Sequence, residues 1–435
     1  MRTLIRNATV VDGTGGPVRE RASVIVEDHL IAGVVDRPAP YYDRADRIID
    51  ARDGYVVPGV LNHHVHGLTR GPLMISGEPP LTDERVRTNC ETLLHQGVTR
   101  ACNVDGFALV EEAVAASRFP GLTVLVSVLQ TPKHYEWTVD GPFPLGGIAS
   151  RHHTTLDEQL RRGAVAIGEI GPGVDAHWAD YTLIPLAFRR ELGISLSQDQ
   201  ARELRLLSEA GDTEGLRATL TGAGAPATYA ERFVAVVAET VRWQAQAETA
   251  CREGLAAADD HPGVPVILHH TPGTYELALE AAEHLGPRLI AAHSNFQIHD
   301  PDLAVAHARE LKARGARVDI MSGDAWGGRE FHPTPDVTLA LLASGCVDLI
   351  STDYAGGFWD PMLLVVEKAA QAGALALEAG VRMVTGAVAD ALPGMAPQRG
   401  TLVEGQVADI AVSAPGALSD IRNVLVSGIP VGLPQ

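Results

Sequence analysis

Pro58-Gly59-Val60-Leu61-Asn62-His63-His64-Val65-His66-Gly67 closes an apolar run that begins at Tyr55. Side chains two apart on a strand share a face, so as a strand this stretch aims His64 and His66 one way and His63 and Val65 the other. Two imidazoles on a rigid strand make half of a metal site, because nitrogen ligands at about 2.0–2.1 Å need fixed, convergent directions. For the pair alone, a solvated or hydrogen-bonded histidine cluster competes equally. The rest of the chain decides between the two.

Seven more short apolar runs follow, at 97–104, 122–129, 164–169, 264–270, 288–293, 316–321 and 347–353, with helix-like segments between them. Near-continuous apolar strands alternating with helices indicate a parallel sheet covered on both faces. Eight such units are what a (β/α)8 TIM-like barrel requires, here over 57–399. The rhythm breaks once, between Glu169 and Val264, where about ninety residues replace a single crossover helix. Ser197-Gln198-Asp199-Gln200 and Thr228-Tyr229-Ala230-Glu231 read there as capping boxes, so a helical insertion is expected at about 178–262, either a cap over the barrel mouth or an oligomer interface. At the termini, 4–11, 22–34, 408–412 and 424–431 read as short strands with turn residues between them. Neither end makes a stable sheet alone, so 1–56 and 400–435 are expected to join as one small β-sandwich domain.

At 435 residues, 46% hydrophobic and 20% charged, the chain has enough length for a large core plus an appended module. A formal net charge of −19 argues against nucleic acid or an anionic membrane as partner. A small-molecule substrate is expected, with the protein a homo-oligomer. No apolar run approaches a membrane span and no signal-peptide core stands at the start, so the expected location is cytoplasmic. Cys90, Cys102, Cys251 and Cys346 are dispersed and read as reduced core residues.

Polar residues stand at the ends of the apolar runs: His64 and His66, then Glu169, His270, His293 and Asp353. In a barrel those ends share one face, where active sites are built. Four imidazoles and two carboxylates around one rim are hard to explain as independent core polar groups. Such a set fits two metals and a bridging water better than one ion, which needs only about three protein ligands.

With these residues in place, the sequence resembles the amidohydrolase superfamily over nearly its whole length. The family opens with Pro-Gly, two hydrophobic residues and Asp-X-His-X-His-Gly, matched by Pro58 to Gly67. It closes with Gly-(X)4-Gly-X-X-Ala-Asp, matched by Gly400 to Asp409. Asn62 stands where the family often has Asp, a change around the ligands rather than in them. Many members bridge their metals with a carboxylated lysine on strand four, but Lys133, Lys312 and Lys368 all lie elsewhere and Glu169 holds that place. Gly168-Glu169-Ile170-Gly171, followed by His270-Thr271-Pro272-Gly273-Thr274, is most similar to the enamidase-type branch, whose bridge is a glutamate. The resemblance implies two divalent ions, zinc foremost with iron and manganese as alternatives. It places His64 and His66 on the first ion, Glu169 as bridge, His270 and His293 on the second, and Asp353 as ligand and base. His269 competes with His270, since a one-residue slip of the strand exchanges them.

The implied reaction is hydrolysis of an amide-type C–N bond, in a cyclic amide or imide or an N-acyl small molecule, by a metal-bridging hydroxide. Asp353 takes the water's proton and returns it to the leaving nitrogen. Arg70, Lys133, His134, Tyr135, Trp326 and Arg329 are candidate substrate contacts on loops after strands, against the plainer reading that each is a surface or packing residue. A mononuclear deaminase of an aminated heterocycle is the main rival. It is weakened because the His-X-X-Glu usual in such members is missing after strand five. A member catalysing cyclisation, or a non-catalytic scaffold of the same fold, completes the alternatives.

Overall fold

The computed structural model describes residues 1–73, 79–119, 121–139, 148–174, 178–327, 332–353 and 360–432. The apolar run at Tyr55 is divided between two sheets. Strands β1 (Arg2–Val10), β2 (Arg19–Glu27), β3 (Leu30–Val35), β4 (Arg47–Asp50) and β5 (Tyr55–Pro58) belong to the terminal sheet, and β6 (Val60–Val65) belongs to the barrel. Gly59 is the crossing point. Its N–H donates to the Asp409 carbonyl at 2.7 Å, and a Cβ there would sit 2.4 Å from Thr99 Oγ1, so only glycine lets the chain pass.

The barrel continues with β7 (Val98–Asn103), β8 (Thr123–Val128), β9 (Ala166–Ile170), β10 (Val266–His269), β11 (Leu289–Ala292), β12 (Arg317–Met321) and β13 (Leu349–Ser351). The order of neighbours is the order in sequence, every pair is parallel, and helices cover the outside. The protein is a (β/α)8 barrel. Leu61, Cys102, Val104, Ala166, Ile267, Ile290, Ala292 and Leu349 pack together with Val388, Leu392 and Met395 to fill its lower interior. Val60, Val98, Val126, Val266, Leu268, Leu289 and Val318 belong instead to the larger core shared with the helices. That division follows the two-residue period of the strands.

Two of the irregularities that interrupt the period bear on the site. From Asn62 to Val65, three residue steps of β6 span two of β7, Ala101 to Asn103. From Ile167 to Ile170, three steps of β9 span two of β10, Val266 to Leu268. Each is a bulge, which changes the face that later side chains point to. In β9 the bulge contains Gly168, whose φ is 137° and whose Cβ would meet the Ile267 carbonyl oxygen at 2.4 Å.

The terminal sheet has eight strands, completed by β14 (Ile410–Ala414), β15 (Ala417–Val426) and β16 (Ile429–Val431). Antiparallel pairing of β5 with β14 brings the two ends of the chain into one sheet, over a core that includes Ile5, Val24, Val56 and Ile410. The run expected over 22–34 is a hairpin rather than one strand. It turns at Asp28, whose φ of 56° a short polar residue tolerates.

Between β9 and β10 the described chain is helical. Helices Ile184–Leu192, Gln198–Glu209, Thr213–Gly222 and Ala230–Asp259 share a small core of their own that includes Phe188, Leu204, Leu220 and Phe233. The Ser197 capping box is present, with Gln200 N–H donating to Ser197 Oγ and Ser197 N–H to Gln200 Oε1. The one expected at Thr228 is not, because the chain enters the long helix through a 3-10 turn at Ala227–Tyr229, leaving Tyr229 in the cap position. A buried ion pair, Arg205 to Asp180 at 2.7 and 3.0 Å, ties the second helix to the start of the insertion. No described helix is long and apolar enough to cross a membrane.

Candidate metal centre

The cluster stands at the C-terminal ends of the barrel strands. His64 Nε2 is 3.2 Å from Asp353 Oδ1 and 3.7 Å from Glu169 Oε2, and His66 Nε2 is 3.5 Å from each of the same two oxygens. On the far side of the glutamate, Oε1 meets His293 Nε2 at 2.8 Å and His269 Nδ1 at 3.0 Å. Glu169 is therefore the central group, with a different pair of histidines at each oxygen. Among the described residues, two triads offer ligand atoms close enough to hold an ion, His64-His66-Asp353 and His64-Glu169-His293.

Both bulges serve this geometry. Leu61 faces the barrel interior and plain alternation would send His64 outward, but the extra residue in β6 turns His64 and His66 inward and Val65 out into the helix-side core. His63 keeps the inward direction of Leu61 and reaches Asp319 at 3.3 Å, so it does not share the face of Val65 as expected. In β9 the same device turns Glu169 inward, although Ala166 on the same strand also points in.

Of the expected ligands, His64, His66, Glu169, His293 and Asp353 are brought together, and His270 is not. Along β10, Ile267 faces the interior, so His269 does too, while Leu268 and His270 point to the helices. His270 Nδ1 pairs with Ser294 Oγ at 3.0 Å, and burial, with His307, His293 and His269 nearby, pushes its pKa down to about 3. His269 takes its place against Glu169. The one-residue ambiguity of the strand end resolves by parity.

Burial opposes charge throughout the cluster, and the acid–base contacts override it where they are densest. Glu169 is held well below the usual carboxylate range by His64, His269 and His293, and Asp353 is lowered by His293, His64 and His66. His66 is raised well above an ordinary imidazole by Asp105, Asp353 and Glu169, and His293 is raised to about 9 by Asp353 and Glu169. At His64 burial outweighs the acids, and its pKa falls. Two residues of the cluster are backbone-strained: His293 and Asp353 have φ of 37° and 64°, in the left-handed region that side chains disfavour and active sites often contain.

Several partners were not singled out from the sequence. Asp105 Oδ1 pairs with His66 Nδ1 at 2.8 Å and Oδ2 accepts from Gly67 N–H, which orients the ring so that Nε2 faces the cluster. Its position, one residue beyond the apolar run at 97–104, is the same strand-end feature that marks Glu169 and Asp353. Asn62 bonds to Thr352 through both its amide atoms, joining the first strand to the last. The seam closes with Asp353 N–H donating to the His64 carbonyl and His66 N–H to the Asp353 carbonyl, each at 3.0 Å.

The expected substrate contacts lie in other surroundings. Arg70 is exposed and pairs with Asp83, and Lys133 is exposed and pairs with Glu136. His134 is buried in an aromatic nest with Phe107 and Trp137, its pKa pushed down to about 4 by burial. The Tyr135 ring stacks on His153 and its hydroxyl accepts from Thr154 N–H. Trp326 packs on the main core beneath Lys368, whose Nζ lies 5.2 Å from the ring centre. Arg329 falls outside the described residues.

No protein-family model matches the chain. Imidazolonepropionase of Salinispora arenicola (strain CNS-205) is 37% identical over 108 residues, 23% of this chain, and the match spans only 25% of that relative. Among solved structures, enamidase, described as a member of the amidohydrolase superfamily, aligns with a TM-score of 0.57 at 16% identity, covering 99% of this chain and 95% of that one. The β-aspartyl dipeptidase of Fervidobacterium islandicum AW-1, in complex with β-Asp-Leu dipeptide, aligns at 0.56 and 16%, covering 99% and 96%. The shared property is the fold.

Proposed function

We propose that the chain is a metal-dependent hydrolase of an amide-type C–N bond, a member of the amidohydrolase superfamily with a glutamate-bridged pair of divalent ions. The observation that carries the reading is the arrangement at Glu169, whose two oxygens face separate groups of imidazoles in a buried site. The donor set fits ions. Nε2 of His64 and Oε2 of Glu169 face each other across 3.7 Å, both buried without a hydrogen-bond partner, and buried polar atoms without partners are unfavourable unless something else takes them. His64, His66 and Asp353 would hold one ion, His269 and His293 the other, and Glu169 both. His and carboxylate ligands suit zinc, iron and manganese, with zinc foremost.

Bound there, the ions would acidify a water and polarise the scissile carbonyl. The chain supplies the rest. Asp105 fixes the His66 ring, and the lowered pKa of Glu169 keeps its own carboxylate ionised. Oδ1 of Asp353 faces His64 and His66, which leaves the other oxygen to take the water's proton and pass it to the leaving nitrogen. The names of the relatives support a C–N substrate, either a cyclic amide or imide or an N-acyl compound, with dipeptides included in the first screen because a dipeptidase is among them.

Metal content per chain tests the reading, measured by elemental analysis on protein purified without chelator, for wild type beside Glu169→Gln. Two ions in wild type and fewer in the variant support the bridged hydrolase and direct the screen to hydantoins, dihydropyrimidines, N-acyl amino acids and dipeptides. One ion, unchanged by the substitution, refutes the bridge and favours a mononuclear deaminase.

A further inference from the structure

Beneath the cluster lies a buried acid that the proposed chemistry does not use. Asp319, inward-facing on β12, has no exposed surface. Its Oδ2 accepts the backbone N–H of His293 and the hydroxyl of Ser351, both at 2.9 Å. Its Oδ1 lies 3.3 Å from Nε2 of His63, which is fully buried as well. Each partner belongs to a segment that carries the cluster: His63 adjoins His64, His293 is itself a member, and Ser351 stands two residues before Asp353. The backbone carbonyl of Asp319 extends the pattern by accepting Ser294 N–H at 2.7 Å.

Packing alone gives no reason for a carboxylate here. Ile267 and Ile290, inward-facing on the preceding two strands, are apolar, and burying a carboxylate is unfavourable unless hydrogen-bond donors compensate it, here the two on Oδ2, while Oδ1 is left without one. What the acid does is local. His293 sits at a φ of 37°, which a residue with a Cβ resists unless its surroundings impose it, and the charge-assisted bond from its N–H to Asp319 is such an imposition.

We propose that Asp319 is the positioning residue of the metal centre. It fixes the strained backbone of His293 and the strand that presents Asp353, so that the ligand atoms converge before an ion arrives. The inference rests on the metal reading above.

The test compares full-length wild type, Asp319→Asn, Asp319→Ala and Ser351→Ala. Each is stripped of metal, titrated with zinc against a chromophoric competitor, and loaded with cobalt(II) for its visible spectrum. Circular dichroism establishes which variants are folded at the temperature used. A positioning role predicts zinc affinity about 10–100-fold weaker in folded Asp319→Ala, with a changed cobalt spectrum. Asp319→Asn should fall between it and wild type, because its carbonyl oxygen still accepts from His293. Ser351→Ala should show the smallest change. A merely structural role lowers the melting temperature and leaves affinity and spectrum alone, and that result overturns the proposal. Should Asp319→Ala not fold, wild-type affinity and spectrum in both Asp319→Asn and Ser351→Ala overturn it equally. A wild type that takes up neither ion refutes the metal reading itself, before any variant is compared.

Discussion

His269 and His270 are adjacent, chemically identical and separated by the wall of the barrel. The imidazole of His269 faces inward to Glu169, and that of His270 faces outward among Ser294, Tyr275 and His307. The inner ring stands among carboxylates beside other histidines; the outer ring has one hydroxyl partner, and burial leaves it neutral. The same residue type is a candidate ligand on one face and a packing group on the other. What separates the two is strand parity, set upstream by how the strand leaves the lower barrel.

If the interior face is the chemical one, substitutions there should abolish function and leave the fold, and those outside should do the reverse. The largest effect is expected at the centre: Glu169→Gln should lose metal, measured as ions per chain, and turnover with it. Next, Asp353→Asn should keep its metal and lose about 10²–10⁴-fold in kcat, the usual range for a positioned acid–base group. An active Asp353→Asn removes that residue from the proton's path. The neighbouring histidines sharpen the contrast: His269→Ala should lose an ion, whereas His270→Ala should keep both and lose about 1–3 kcal/mol of stability in a denaturant titration, because a buried ring and its bond to Ser294 are removed while Ser294 keeps only its bond to the Ala291 carbonyl. Metal loss in His270→Ala with retention in His269→Ala would reverse the assignment.

The smallest effect belongs to His134, expected from sequence as a substrate contact and found in the aromatic nest. Its folded pKa of about 4 lies below the ordinary 6.5. Above pH 6.5 both folded and unfolded forms are neutral. Between 6.5 and 4 only the unfolded form takes the proton, so stability falls as pH falls through that window and levels off below it. His134→Gln should flatten that part of the stability–pH curve, read from melting temperatures, while KM for any substrate found stays within about twofold, as for a residue outside the site.

Much of this was legible in the chain, and for definite reasons. Eight apolar runs alternating with helical segments mark a barrel because strands covered on both faces are apolar throughout, and five of the runs end in a polar residue. The same rule placed Glu169, His293 and Asp353. It did not place Asp105, which stands one residue past a run and so is indistinguishable in sequence from the start of a loop. Alternation along a strand failed at His63, because a bulge is an extra residue with no composition of its own. Gly168 is the one trace of the bulge in β9, a residue whose φ needs glycine. The candidate substrate contacts rested on position alone: Arg70, Lys133, His134, Tyr135 and Trp326 all follow strands, but that does not fix a side chain's direction. Lys133, His134 and Tyr135 stand on the helix Pro132–Val139 rather than a loop, and each of the five has a partner of its own.

The seam of the barrel has a consequence for how the molecule is made. Its first and last strands are joined through Asn62 and Thr352, 290 residues apart, and through the backbones of His64, His66 and Asp353. During synthesis a nascent chain that has reached β12 holds all the histidines of the cluster, yet its barrel is an open sheet with two bare edges. Ring closure is available only when the final strand emerges, and a chain truncated before Asp353 keeps the triad His64-Glu169-His293 but loses the triad His64-His66-Asp353.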